Sequence, residues 1–167
     1  QAPSVGLLRL GNFSEVVKKF SEINELWIKQ LKIKEFNRVA LGTQIVYEVK
    51  DRVNGYKKLS GLLPFQLKAE EFSDFSLQIN KPHKYKFISR ELNINRLIKW
   101  SVLRLNFGIQ SVGDPKTQHK FPDQNYCSIV MDINTQPEQG KFNNEDATKL
   151  INNFIKLSME ISEQGLK

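Results

Sequence analysis

The spacing of apolar residues changes twice along this chain, from a recurrence of three or four to one of two and back again, and that change limits what it can fold into. From Asn12 onward, Phe13, Val16, Val17, Phe20, Ile23, Trp27 and Leu31 share one face of a helix of about five turns. Asn12 stands at the cap position, and Glu15 three residues later completes a capping-box-like signal. Val39, Leu41, Ile45, Tyr47 and Val49 then alternate with Ala40, Gln44, Glu48 and Lys50, which predicts a long, half-buried strand. Val53, Tyr56, Leu59 and Leu63 suggest a shorter helix that Pro64 ends. Phe75, Leu77 and Ile79 alternate with Ser76, Gln78 and Asn80 in a second strand closed by Lys81-Pro82. Ile129, Met131 and Ile133 mark a last strand. Asn143 or Asn144 caps a final helix, with Glu145 and Asp146 in its first turn and Leu150, Ile151, Phe154, Leu157 and Ile161 on its apolar face.

Between Tyr85 and Gln110 the alternation breaks. Tyr85 and Phe87 alternate with Lys84 and Lys86, and Leu103, Leu105, Phe107 and Ile109 with Arg104, Asn106 and Gln110, yet Trp100 and Val102 stand in the opposite phase. A β-bulge, or a short helical turn ending near Trp100, would account for the shift. Residues 111 to 125 hold Gly113, Asp114, Pro115, Pro122 and Asp123 and almost no apolar side chain, so a loop is expected there. Strands with one apolar and one polar side favour a largely antiparallel sheet. The expected fold is α+β, a sheet of about five strands with two long amphipathic helices packed on its buried face. Its other face would display Gln44, Glu48, Gln78, Asn80, Arg104 and Asn106.

A chain of 167 residues that is 40% hydrophobic, with eleven Phe, can bury a core as a single domain, 1–167, without metal or disulfide support. The only cysteine, Cys127, excludes an internal disulfide and a Cys-based zinc site, as expected of a protein in the reducing cytoplasm. No run approaches the roughly 18 to 20 apolar residues of a membrane span, and the start lacks the apolar core of a signal peptide, so no membrane association is expected. A chain opening at Gln1 without Met is expected to be a fragment or a processed form of a longer one.

Charge is the feature that suggests a partner. Residues 81 to 120 hold nine Lys or Arg against Glu91 and Asp114, and so account for the whole formal excess of +7. A charge confined to one stretch can attract an anion, either nucleic acid or an acidic protein surface. Lys84, Lys86, Arg90, Arg96, Lys99 and Arg104 are the candidate contacts. Tyr85, Phe87, Trp100 and Phe107 are interleaved with them, as in proteins that stack bases on aromatic rings, but alternation turns these rings to the other side, into the core.

Other chemistry is sparse. Glu48-Val49-Lys50 has the Glu-x-Lys form of metal-dependent nucleases, in which a carboxylate holds Mg²⁺ and the Lys positions water, with Glu35 the one acid near enough upstream to assist. The solvated-face reading of Glu48 and Lys50 weighs against it. His83 and His119 lie in turn-like, Lys-flanked stretches and read as surface residues, Cys127 as a small residue in the sheet, and Asp132 as a strand-end turn former. Gly6, Gly11, Gly55 and Gly61 have no phosphate-cradling spacing, and no cofactor is expected.

A long helix leading into Arg38-Val39-Ala40-Leu41-Gly42, and a late strand Ile129-Val130-Met131-Asp132-Ile133 followed by a turn and a terminal amphipathic helix, resembles a sporadically distributed bacterial family of uncharacterised proteins. The resemblance covers the two ends of the chain and implies a bacterial cytoplasmic protein, with no activity or site to carry over. The reading is therefore a non-enzymatic binding module whose basic segment contacts nucleic acid or an acidic protein. The alternatives are a structural or regulatory subunit of a complex and, behind it, a metal-dependent nuclease.

Overall fold

A computed structural model of the protein describes residues 7, 9–31, 33, 35–68, 70–106, 108–110, 118–120 and 123–165, with the backbone alone for 108–110 and 118–120. Along the chain come α1 (Phe13–Gln30), β1 (Ala40–Val49), α2 (Arg52–Ser60), β2 (Ser76–Asn80), β3 (His83–Phe87), β4 (Arg90–Leu105), β5 (Gly108–Gln110), β6 (Gln118–Lys120), β7 (Gln124–Thr135) and α3 (Asn144–Gln164). Five strands form one antiparallel sheet in the order β1-β7-β4-β2, with β3 also on β4. The fold is α+β.

The stretch in which alternation breaks is a single strand of 16 residues. It pairs with β7 without interruption from Ile94 opposite Thr135 to Leu105 opposite Gln124, so neither the expected bulge nor a helical turn is present. The apparent shift has another cause. Leu92, Ile94, Ile98 and Trp100 are buried on the inner face, but Arg96 occupies the inner slot between Ile94 and Ile98, while Leu97, Leu103 and Leu105 occupy outer slots. Leu103 and Leu105 thus face away from the core, and Arg104 lies on the inner side, reversing both expectations. Phe107 lies outside the described residues.

The second strand ends at Asn80, closed by Lys81-Pro82 as read, but the next strand continues its line. Asn80 stands opposite Leu97 and His83 opposite Ile94, so β2 and β3 keep one register along β4, interrupted where Pro82 has no N–H to donate. Lys81 N–H still donates to the Arg96 carbonyl at 3.0 Å. In the expected loop, β6 pairs with β5, and β7 begins at Gln124. Residues 111–117, 121 and 122 lie outside the described residues.

Two helices cover the inner face. α3 begins with a reciprocal cap: the Asn143 side chain accepts from Asp146 N–H at 2.8 Å, and the Asp146 carboxylate from Asn143 N–H at 3.2 Å. It buries Leu150, Ile151, Phe154, Ile155 and Ile161. α2 buries Tyr56 and Leu59, and Gly55 lets it approach β4, because a Cβ there would stand 2.8 Å from a Val102 methyl.

The first helix departs from expectation. Asn12 occupies its cap position but makes no side-chain cap hydrogen bond, so the capping box is not formed. α1 packs on α3 as a further layer: Ser21 Oγ donates to Asn152 Oδ1 at 2.6 Å, and Asn144 Nδ2 to the Ile28 carbonyl at 3.1 Å. Its inward side, Val17, Ser21, Asn24 and Ile28, lies about a quarter of a turn from the apolar stripe read in the sequence. Phe20, Ile23 and Trp27 are left 42%, 66% and 59% exposed.

The cap of α2 makes this packing sensitive to pH. The hydrogen bond from Asn54 N–H holds the Asp51 carboxyl below its usual range. A depressed folded-state value adds stability above the unfolded value of about 3.9, which is lost as pH falls through the folded value. Asp51→Ala should melt at a lower temperature than the parent at pH 7, and the gap should close as pH falls below about 4, in melts followed by circular dichroism.

Candidate functional site

The pleat divides the six candidate cations by residue type. Arg90, Arg96 and Arg104 stand at even positions of β4, the inner side, and each is engaged. Arg90 Nη1 donates to the Gln139 carbonyl and Nη2 to the Lys141 carbonyl, both at 3.1 Å, and its guanidinium lies 4.6 Å from the Phe142 ring centre. Gly140 (φ +93°) is necessary here, since a Cβ would stand 2.8 Å from Arg90 Nη1. Arg96 Nε donates to the Lys81 carbonyl at 2.9 Å; burial lowers its pKa and the Glu160 carboxylate opposes that shift. Arg104 Nε donates to Asp123 Oδ2 at 2.8 Å. These are ties within the fold.

Lys84, Lys86 and Lys99 belong to the outer face, which no helix covers among the described residues. Lys84 stands opposite Asn93, Lys86 opposite Glu91, and Lys99 between Gln78 and Val130. Lys84 Nζ is 2.9 Å from Glu91, a hydrogen bond and charge pairing that raise its pKa, though both side chains are largely in water. Lys86 and Lys99 have no ion pair among the described residues. At about 3.3 Å per residue they stand roughly 25 Å apart along β4. The six cations therefore do not merge into one patch. Lys116 and the Lys120 side chain lie outside the described residues.

Of the four aromatic rings, the three that lie among the described residues behave as alternation predicts. Phe87 and Trp100 are buried and Tyr85 packs against the core, so none offers an open stacking platform. The nuclease constellation is not assembled. Glu35 precedes β1 and pairs with Lys141 at 2.5 Å, whereas Glu48 lies near the far end of the strand, paired with Arg9. Ala40 to Glu48 alone spans about 26 Å. Among the described residues no group of three His, Cys, Asp or Glu could hold a metal ion, and no helix is long and apolar enough to cross a membrane. His83 is half-buried on β3, and the His119 side chain lies outside the described residues. Burial pushes the Cys127 thiol up to about 11, so it is neutral at physiological pH and a poor nucleophile. Asp132 sits on the outer face and accepts from Asn134 Nδ2 at 2.9 Å.

Two clefts complete the polar surface. One of about 460 Å³ holds Asp51, Asp74 and Asp123 beside Arg52 and Arg104, with Arg104 paired to Asp123. The other, of about 360 Å³ between the β3–β4 turn and α3, gathers Lys86, Lys149 and Lys156 with Asn152 and Asn153. Reading the basic segment alone misses Lys149 and Lys156. Their seven-residue spacing on one helix face, with the asparagines between, is the signal that could have found them.

Because Arg90 ties the loop after β7 to the start of β4, Arg90→Ala should cost about 2 kcal/mol of stability by urea denaturation, through the lost charge-assisted hydrogen bonds and ring contact. Binding of an anion at the outer lysines should be unchanged in the folded variant. No protein-family model, no curated protein and no solved structure matches this chain.

Proposed function

We propose that the protein is a non-enzymatic binding module, cytoplasmic and bacterial, whose helix-free sheet face takes an extended polyanion, nucleic acid first among them. The observation that supports this is the division of the basic segment. Its arginines are engaged on the inner side, while Lys84 and Lys86 on the edge strand β3 and Lys99 on β4 project from the outer face. A partner with regularly spaced charges can reach lysines set roughly 25 Å apart, whereas a small ion cannot. Edge lysines also deter strand-to-strand aggregation, so the test must measure binding itself. With three phosphate contacts, the logarithm of affinity for single-stranded nucleic acid should fall with that of salt with a slope of about −2. Lys84→Ala, Lys86→Ala and Lys99→Ala together should flatten that slope in fluorescence anisotropy. Salt-insensitive binding would exclude phosphate and leave an acidic protein surface as the partner.

A second reading, a subunit of a protein complex, is favoured by α1. Phe20, Ile23 and Trp27 form an exposed apolar stripe, and Leu26 beside them is 62% exposed. If a partner covers it, Ile23→Glu with Trp27→Glu should abolish capture of that partner from nuclease-treated lysate while leaving the melting curve little changed.

A further inference from the structure

The cleft between the β3–β4 turn and α3 has a composition that the outer face lacks: two helical lysines and two asparagines gathered on one concavity. Lys149 and Lys156 are two helical turns apart, about 10 Å along the axis, and β3 walls the cleft on its other side. Asn152 and Asn153 lie between the helical lysines. The Asn152 oxygen accepts from Ser21 Oγ, which leaves its amide N–H groups as the spare capacity. The Asn153 side-chain nitrogen is buried and has no hydrogen-bond partner among the described residues, an unspent donor beside the lysines. Lys149 pairs with Glu145 at 2.6 Å and also feels the Asp146 carboxylate, in an exposed pairing of the kind that contributes little and exchanges readily for a stronger anion. Ile88, 65% exposed at φ 55°, forms the apolar lip. A β-branched residue there is strained, a cost that clusters at functional sites.

We infer that this cleft binds a compact polyphosphate group, either free or as the phosphate tail of a nucleotide. Lysine ammonium groups bind phosphate as point charges, and a chain of two or three phosphates spreads its charge over the distance between Lys149 and Lys156 as a single phosphate does not. The cleft volume falls in the range of small-ligand sites. The lysines and asparagines of α3 are not residues of the sheet face proposed above, so either site can fail without the other.

The test is isothermal titration of the full chain at low salt with orthophosphate, pyrophosphate, triphosphate and a nucleoside triphosphate. Pyrophosphate and triphosphate should bind one to one, and orthophosphate at least about tenfold more weakly. Lys149→Ala and Lys156→Ala should each weaken triphosphate about tenfold or more, with Asn153→Leu acting in the same direction. Lys84→Ala with Lys99→Ala should leave it unchanged. A nucleotide binding more tightly than triphosphate would assign the tail of a nucleotide, and equal affinity a free polyphosphate. All the lysines exchanged are exposed, so circular dichroism should show an intact fold. No saturable binding of pyrophosphate or triphosphate, or an equal loss on Lys18→Ala with Lys19→Ala in α1, would overturn the inference.

Discussion

The register of β4 against β7 is the constraint on which the rest of the protein depends. β4 alone carries three partners: β7 on one edge and the interrupted β2–β3 strand on the other. Its inner side chains Leu92, Ile94, Ile98 and Trp100 are almost wholly out of water. Each contributes about 2 kcal/mol by burial. Since side chains alternate with a period of two, a slip of one residue would send all four to solvent and bring Asn93, Asn95 and Lys99 inward. No surface interaction approaches that penalty. α2 and α3 can then settle only on the side where β1, β7 and β4 present Leu41, Ile45, Ile129, Met131 and Trp100.

The same pleat decides what the basic segment can do. An arginine at an inner slot near the sheet margin has a planar fork that satisfies two carbonyls or a carboxylate at once, as Arg90 and Arg104 show. A lysine at an outer slot keeps its ammonium in water. The segment that holds the entire formal excess of charge thus uses half of its best cations as internal ties. Of those left outside, Lys84 and Lys86 stand about 7 Å apart on β3, and Lys99 lies roughly 20 to 25 Å from them, well beyond the screening length of about 8 Å at physiological salt. Lys99 therefore acts on a partner apart from the other two. Lys149 and Lys156 stand about 10 Å apart on α3.

Much of the architecture is legible from residue patterns. β1 and the core-facing residues of β7 follow from strict alternation, and α3 follows from its apolar face and the cap Asn143 with Asp146. β4 is obscured because Arg96 takes an inner slot and Leu97, Leu103 and Leu105 take outer ones, and periodicity treats each as a change of phase. α1 is legible as a helix but not in its orientation. Its contact with α3 runs through Ser21 on Asn152 and Asn144 on the Ile28 carbonyl as well as through buried Val17 and Ile28, so its most apolar stripe is not the one buried. Of the candidate site, residue types and the lysine positions on β3 could be read. The turning inward of Arg104 could not, because the phase at Leu103 and Leu105 points the other way.

From the sequence by itself come the α+β class, the one-sided strands, the terminal helices and the confinement of net charge to residues 81 to 120. These depend on local periodicity and composition, which a chain carries whatever it packs against. Tertiary structure alone decided that β4 is continuous, that α1 lies on α3, that the arginines are internal ties, and that the β3–β4 turn meets Lys149 and Lys156 across a cleft. Each of these depends on which distant segment occupies the neighbouring space. That choice is made by burying the β4 and β7 side chains together, and no single segment encodes it.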